Sequence, residues 1–229
     1  MNCIVEIPLA RLLQLASPAL PVGAYSYSQG LESAVEAGVV GDRTMAQNWI
    51  GDALDNSIAR VEAPIFLRLI ESWRAHDYAA VARWNGLFLA SRETSELRSE
   101  TLQLGYSLRK LLVELEGTDE KTRAQLVGLE EVSLPTAFAC AAAQWNIPTQ
   151  SALVAYLWSW VENQVMAAVK LVPLGQTDGQ RILWAMGEKL LMVAERARSI
   201  DDDHIGAFTP RLAILSSRHE TQYSRLFRS

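Results

Sequence analysis

His219 and Glu220 stand side by side near the end of the chain. They match the start of a helical zinc-hydrolase motif, which requires a second histidine four positions after the first. Position 223 is a tyrosine, so the ligand pair is missing and that chemistry is excluded. The other histidines are His76 and His204 and the cysteines are Cys3 and Cys140, too scattered to form a local zinc or nickel site. Asp201, Asp202, Asp203 and His204 lack the glycine and bidentate glutamate of a calcium loop, and they read as a solvated acidic turn. The run GQTDGQ has two glycines but no following lysine to reach a phosphate, and neither a P-loop nor a G-x-S-x-G elbow occurs anywhere. No catalytic residue, metal ligand or cofactor is therefore assigned. The remaining enzymatic route would be a pocket assembled from distant residues such as His76, Glu93 and Glu100.

Three segments carry residue types suited to recognition. Residues 17–32, SPALPVGAYSYSQGLE, hold two prolines that force an extended path and a glycine for a turn. Ser26 and Gln29 have capping-box spacing for a following helix. Tyr25 and Tyr27 also suit a recognition surface, because tyrosine offers contact area at little entropic cost. Residues 169–180, VKLVPLGQTDGQ, place Lys170 near the end of an apolar helix, where a cation complements the helix dipole or sits at an internal junction or dimer seam. Residues 216–229, SSRHETQYSRLFRS, set Arg218, Arg225 and Arg228 against Glu220, with Leu226 and Phe227 among the charges. Apolar residues in such a segment imply docking. Ordering on a partner is the preferred reading and docking on the chain's own domain the alternative.

The elements that must position these segments are helical. Leu9, Leu12, Leu13 and Ala16 share one helical face, after a possible short strand CIVEI. Asp42 caps a helix with Met45, Trp49, Ile50 and Ala53 inward, and Pro64 should break or kink it. Asp77 begins another helix. Leu97, Thr101, Leu104, Leu108, Leu111 and Leu115 form a seam for a neighbouring helix. A short helix follows over 121–131, then an alanine-rich one from Pro135 to Trp145 whose small side chains allow close approach. Two long helices run from Thr149 to Leu171 and from Ile182 to Ala197, joined by a turn over Pro173–Gly179. The pattern predicts an all-α, single-domain bundle of about ten helices over residues 1–215, with a polar tail over 216–229.

Composition agrees with that class. Hydrophobic residues make up 49% of the 229-residue chain, enough for a sizeable core. A net charge of −5 argues against a general nucleic-acid binder. Two unpaired cysteines and an N-terminus without a signal-peptide pattern point to the cytoplasm. Residues 151–172 are the most apolar stretch, but Glu162, Asn163 and Gln164 interrupt it, so it reads as a buried helix and no membrane span is expected.

The run LLQLASPALPVGAYSYSQGLE, then RETSELRSE, VKLVPLGQTDGQ and finally RHETQYSRLFRS, in that order along nearly the whole chain, resembles the UreF family of urease accessory proteins. The stretch LPTAFACAA departs from the family's pattern, and no function is assigned there. The resemblance implies an all-helical homodimer that bridges UreD (UreH in some organisms) and the GTPase UreG on apo-urease, for GTP-dependent nickel insertion. It implies partner binding by Tyr25, Ser26, Ser28, Gly30 and Glu32 of the first signature and by Lys170, Gly175 and Gln180 of the second. Arg218, His219, Glu220, Arg225 and Phe227 follow from the third. The expected role is a non-catalytic scaffold; the alternative is a regulator that activates UreG by supplying an arginine, with Arg225 the candidate.

Overall fold

The computed structural model describes the backbone of residues 3–229 and the side chains of residues 8–229. Among the described residues there are eleven α-helices and no strand. They are α1 (Cys3–Ala16), α2 (Leu31–Glu36), α3 (Arg43–Ala53), α4 (Ala63–Arg74), α5 (Tyr78–Ala90) and α6 (Ser95–Glu114). There follow α7 (Glu120–Gly128), α8 (Leu134–Gln144), α9 (Thr149–Leu171), α10 (Gln176–Arg198) and α11 (Pro210–His219). A π-helical segment, Leu54–Glu62, joins α3 to α4 into one continuous rod, so ten rods make up the domain. None is long and apolar enough to cross a membrane.

The start signals work as local chemistry dictates. Asp42 and Asp77 accept hydrogen bonds from the amides of Met45 and Ala80, and Thr94 and Asp119 cap α6 and α7 in the same way. Nine of the twelve residues of α4 are buried, which makes it the central helix. Ala137, Ala139, Ala141 and Ala142 of α8 are fully buried against it, and their small side chains bring the two backbones close. Trp73 donates its indole N–H to the Thr136 carbonyl across this contact at 3.1 Å. Phe66, Phe138 and Tyr156 complete an aromatic cluster with ring centroids 4.9–5.9 Å apart.

Several expectations need correction. CIVEI lies within α1, so no strand opens the chain. Leu9 and Leu13 are exposed, whereas Leu12 and Ala16 pack half-buried against the core and Leu15 enters it. Met45 is exposed and Trp49 half-buried; Ala46 and Ile50 fill the inner face of α3 instead. Pro64 does not break its rod. The π register upstream widens the turn, with the Ala63 amide bonding five residues back to Ile58, and accommodates a residue that can neither donate nor tolerate a carbonyl against its ring. The turn between the long helices is shorter than expected: Gly175 is the N-cap of α10, so Gly179 and Gln180 are helical. α11 continues to His219 and takes in the first residues of the expected tail.

Candidate functional site: the loop and tail junction

The C-terminal segment packs against the 17–32 loop. Phe227 is 5% exposed, which places the tail on its own domain. The Arg228 amide donates to the Ser26 carbonyl at 2.8 Å, and the Ser28 amide and hydroxyl both donate to the Ser229 carbonyl at 2.7 and 2.5 Å. The loop needs left-handed backbone at Gly23, Gln29 and Gly30 to make this approach. A side chain at Gly30, φ 81°, would also press on the Ser216 amide of α11 at 3.3 Å.

Three glutamates fasten the tail. Glu32, in the first turn of α2, accepts the amides of Leu226 at 2.6 Å and Phe227 at 2.9 Å. Its Oε2 also faces His219 Nε2 at 3.0 Å. The other ring nitrogen, Nδ1, lies 2.7 Å from Glu96 Oε2 on α6, and Glu96 Oε1 accepts from Arg225 at 2.8 Å. The fully buried imidazole thus has a carboxylate oxygen within hydrogen-bond reach of each ring nitrogen, and Glu32, His219, Glu96 and Arg225 form one continuous chain of polar contacts. Glu220 takes the next position: its carboxylate accepts from the Ser95 amide and hydroxyl at the N-terminus of α6. The Ser95 hydroxyl, followed by the amides, holds its carboxyl below the usual range.

One turn on from Glu96, Glu100 accepts from Gln29 Nε2 at 2.8 Å and from the Ser229 hydroxyl at 2.9 Å. Gln29 in turn accepts from the Trp160 indole at 2.7 Å. The expected capping box is therefore absent. Gly30 is the N-cap of α2, the Gln29 side chain is engaged by α6 and α9, and Ser28 Oγ accepts the Glu32 amide. Burial pushes the Glu100 carboxyl up from 4.5 to about 7. The folded chain thus holds a proton at Glu100 that the unfolded chain releases near 4.5, so this site's contribution to stability falls as pH rises from 4.5 to 7. The full change is about 3 kcal/mol. Glu100→Gln keeps the shape without the buried charge, so the variant is expected to gain stability over wild type progressively between pH 5 and 8 in paired urea titrations. A gap that stays constant with pH rejects this account.

The structure brings together Ser26, Ser28, Gly30, Glu32, His219, Glu220, Arg225 and Phe227 at this junction. Lys170 joins them, its ammonium 5.5 Å from the Phe227 ring. Tyr25 is 65% exposed at its edge, and Arg218 is exposed on α11. Gly175 and Gln180 are exposed at the start of α10, and no hydrogen bond ties them to the loop or tail among the described residues. Glu96, Glu100 and Trp160 belong to the junction although sequence reasoning gave them no place there, and Gln29 belongs to it as their partner and not as a helix cap. The distant-residue pocket is not assembled: Glu93 and Glu100 line separate cavities, and His76 bonds Tyr78 at the surface. No group of three or more His, Cys, Asp or Glu side chains able to hold a metal ion occurs among the described residues.

Residues 40–187 match the family model described as UreF. A urease accessory protein UreF of Azoarcus sp. (strain BH72) is 57% identical over 225 residues, covering 97% of this chain and 96% of the relative. Another, of Dechloromonas aromatica (strain RCB), is 51% identical over 224 residues, covering 97% and 98%. The chain belongs to the UreF family. The family model lies within the helical body, whereas the similarity to the two UreF relatives extends over nearly all of the chain. In this UreF-family chain the carboxylates of the junction are occupied by the tail's own donors. Cys140, whose thiol is pushed far up by burial, is sealed within α8. The geometry suits presentation of a surface.

Proposed function

We propose that this chain is a non-catalytic cytoplasmic scaffold in urease maturation, which bridges UreD and UreG on apo-urease during nickel insertion. The observation that carries this reading is the fastening of the tail by Glu32, His219 and Glu96. It turns the 17–32 loop and residues 220–229 into one continuous face with Tyr25, Tyr223 and Leu226 exposed on it. An enzyme would keep such groups free for substrate, whereas a scaffold uses them to hold a docking surface in shape. Arg225 is committed to Glu96, which favours a fastening role over insertion into the GTPase. Deletion of 216–229 is expected to abolish UreD capture in pull-downs. Because that deletion also unpairs buried glutamates, Tyr223→Ala with Leu226→Ala is the gentler variant, expected to weaken UreD binding at least about tenfold at unchanged melting temperature. Normal recruitment by both variants would sink the reading.

The same reading includes a homodimer. Trp184, Leu191 and Met192 are 88%, 53% and 65% exposed on α10, and Gly187 between them has open space above it. A two-fold axis crossing near Gly187 would set Trp184 against Leu191 of the second copy and Arg181 near its Glu195, a self-complementary pairing. Trp184→Glu is expected to cost the dimer roughly 2–4 kcal/mol. Sedimentation should then show monomer, with helicity unchanged because Trp184 supports nothing inside its own fold.

A further inference from the structure

A cavity of about 140 Å³ opens beside the junction, between the 17–27 loop, α6, α8 and α9. Its walls are apolar, from Leu15, Leu104, Leu134 and Phe138, and Tyr25 and the 40%-exposed Met166 lie at its mouth. Two carboxyl groups line it without a balancing cation. Glu100 bonds only to neutral donors, and Glu162 has no hydrogen-bond or ion-pair partner among the described residues. Arg92 also lines the cavity, but Glu62 neutralises it in a pair at 2.7 Å. A space of about 150 Å³ accepts a benzene-sized molecule, so this one has room for a chain of roughly four or five carbons.

We propose that this cavity is a socket for a lysine or arginine side chain presented by the docking partner, its apolar stem against Leu104, Leu134 and Phe138 and its cationic head at Glu162 and Glu100. Apolar walls reward the methylenes, which basic side chains bury readily. The unbalanced carboxylates reward the head group and reject an acid. A neutral apolar anchor would leave both acids desolvated for nothing, and a carboxylate would add a third negative charge. The assignment rests on the loop being a partner surface, as argued above, because the mouth of the socket is built from that loop.

Pentylamine reproduces the stem and head without any protein partner. At pH 8, above the value of about 7 at which burial holds Glu100, titration of methyl-labelled protein should give saturable shifts at Leu15, Leu104 and Leu134. Pentanol and pentanoate should bind at least about tenfold more weakly, and Glu162→Gln should weaken pentylamine by a similar factor. Glu162→Gln should also weaken UreD capture, and saturating pentylamine should compete with UreD. Equal binding of pentanol and pentylamine overturns the proposal, as does pentylamine binding that is insensitive to Glu162→Gln. Amine binding without any effect on UreD capture also overturns it, leaving the tail-based function standing. A wild-type chain that never captures UreD overturns the function itself, whatever the amine shows.

Discussion

Gly105→Ala is expected to lower the melting temperature by roughly 10 °C, from about 3 kcal/mol of overpacking spread over a chain of this size. Gly105 lies on the inner face of α6, where the helix runs against the start of α8. A methyl group there would stand 2.7 Å from the Ser133 carbonyl carbon and 2.9 Å from the Leu134 amide nitrogen, and closer still to the Val132 carbonyl oxygen. All three are backbone atoms, so no side chain can swing aside. The segment is also pinned from several directions. The Ser133 amide and Thr136 hydroxyl donate to Asn85 Oδ1 at 3.0 and 2.8 Å, and the Leu134 amide donates to Thr101 at 3.1 Å. Making room for one methyl would break this buried network, and each donor left unpaired carries its own desolvation cost. Gly86→Ala is the control. It too is helical, but nothing lies within 4 Å of its added carbon, so the substitution should be neutral or stabilising by up to about 1 kcal/mol. Thermal denaturation of the two variants side by side separates close packing from helix propensity, and equal shifts would sink the argument.

That contrast also shows what the chain's own pattern reveals. Asp42, Asp77 and Pro135 mark helix starts because capping is a matter of three or four neighbouring residues, and each appears where spacing puts it. Gly105 is invisible at that range, since its meaning comes from a backbone on another helix. Ser26 and Gln29 fail for the same reason. Their spacing suits a cap, but Glu100 and Trp160 take the Gln29 amide from 71 and 131 positions away, and those bonds satisfy both ends of it. Pro64 fails differently: the break it predicts becomes a π segment, because continuing the rod buries Ile65, Phe66 and Leu69. Most of the singled-out residues of the first and third signature segments meet at the junction, several of them buried, whereas Lys170 is the one from the second that reaches it. The glutamates that bind them were within reach of the sequence. Glu96 and Glu100 are four apart and flank the Leu97–Leu108 seam, and a carboxylate beside an apolar seam implies a donor from elsewhere in the chain. Only the fold shows that the donors are His219, Arg225 and Ser229.

His219→Ala should therefore reach further than any surface substitution in the tail. It removes the donor between Glu32 and Glu96 and leaves two buried carboxylates facing a void. Breaking one member of a buried charged set costs about 3–5 kcal/mol, which for a domain of this length lowers the melting temperature by roughly 6–20 °C. The local consequence is larger than the global one. Glu32 also holds the amides of Leu226 and Phe227, and Glu96 holds Arg225, so a carboxylate that turns towards water releases the tail with it. Trypsin cleavage at Arg225 should become fast in the variant while the helical body stays resistant. UreD capture should fall with it, because the surface is lost without any contact residue being changed. Glu96→Gln in the His219→Ala background removes one of the two stranded charges, so the double variant should be more stable than the sum of the single losses, by at least about 1 kcal/mol. Tyr223→Ala gives the opposite signature: weaker UreD capture with an intact, protease-resistant tail, since its side chain is fully exposed. A His219→Ala chain that melts with wild type and keeps its tail protected would mean that Phe227 and the Ser28–Ser229 bonds fasten the segment. Glu32 and Glu96 would then have no part in holding it, and Glu100, still bonded to the Ser229 hydroxyl, would be the one glutamate that does.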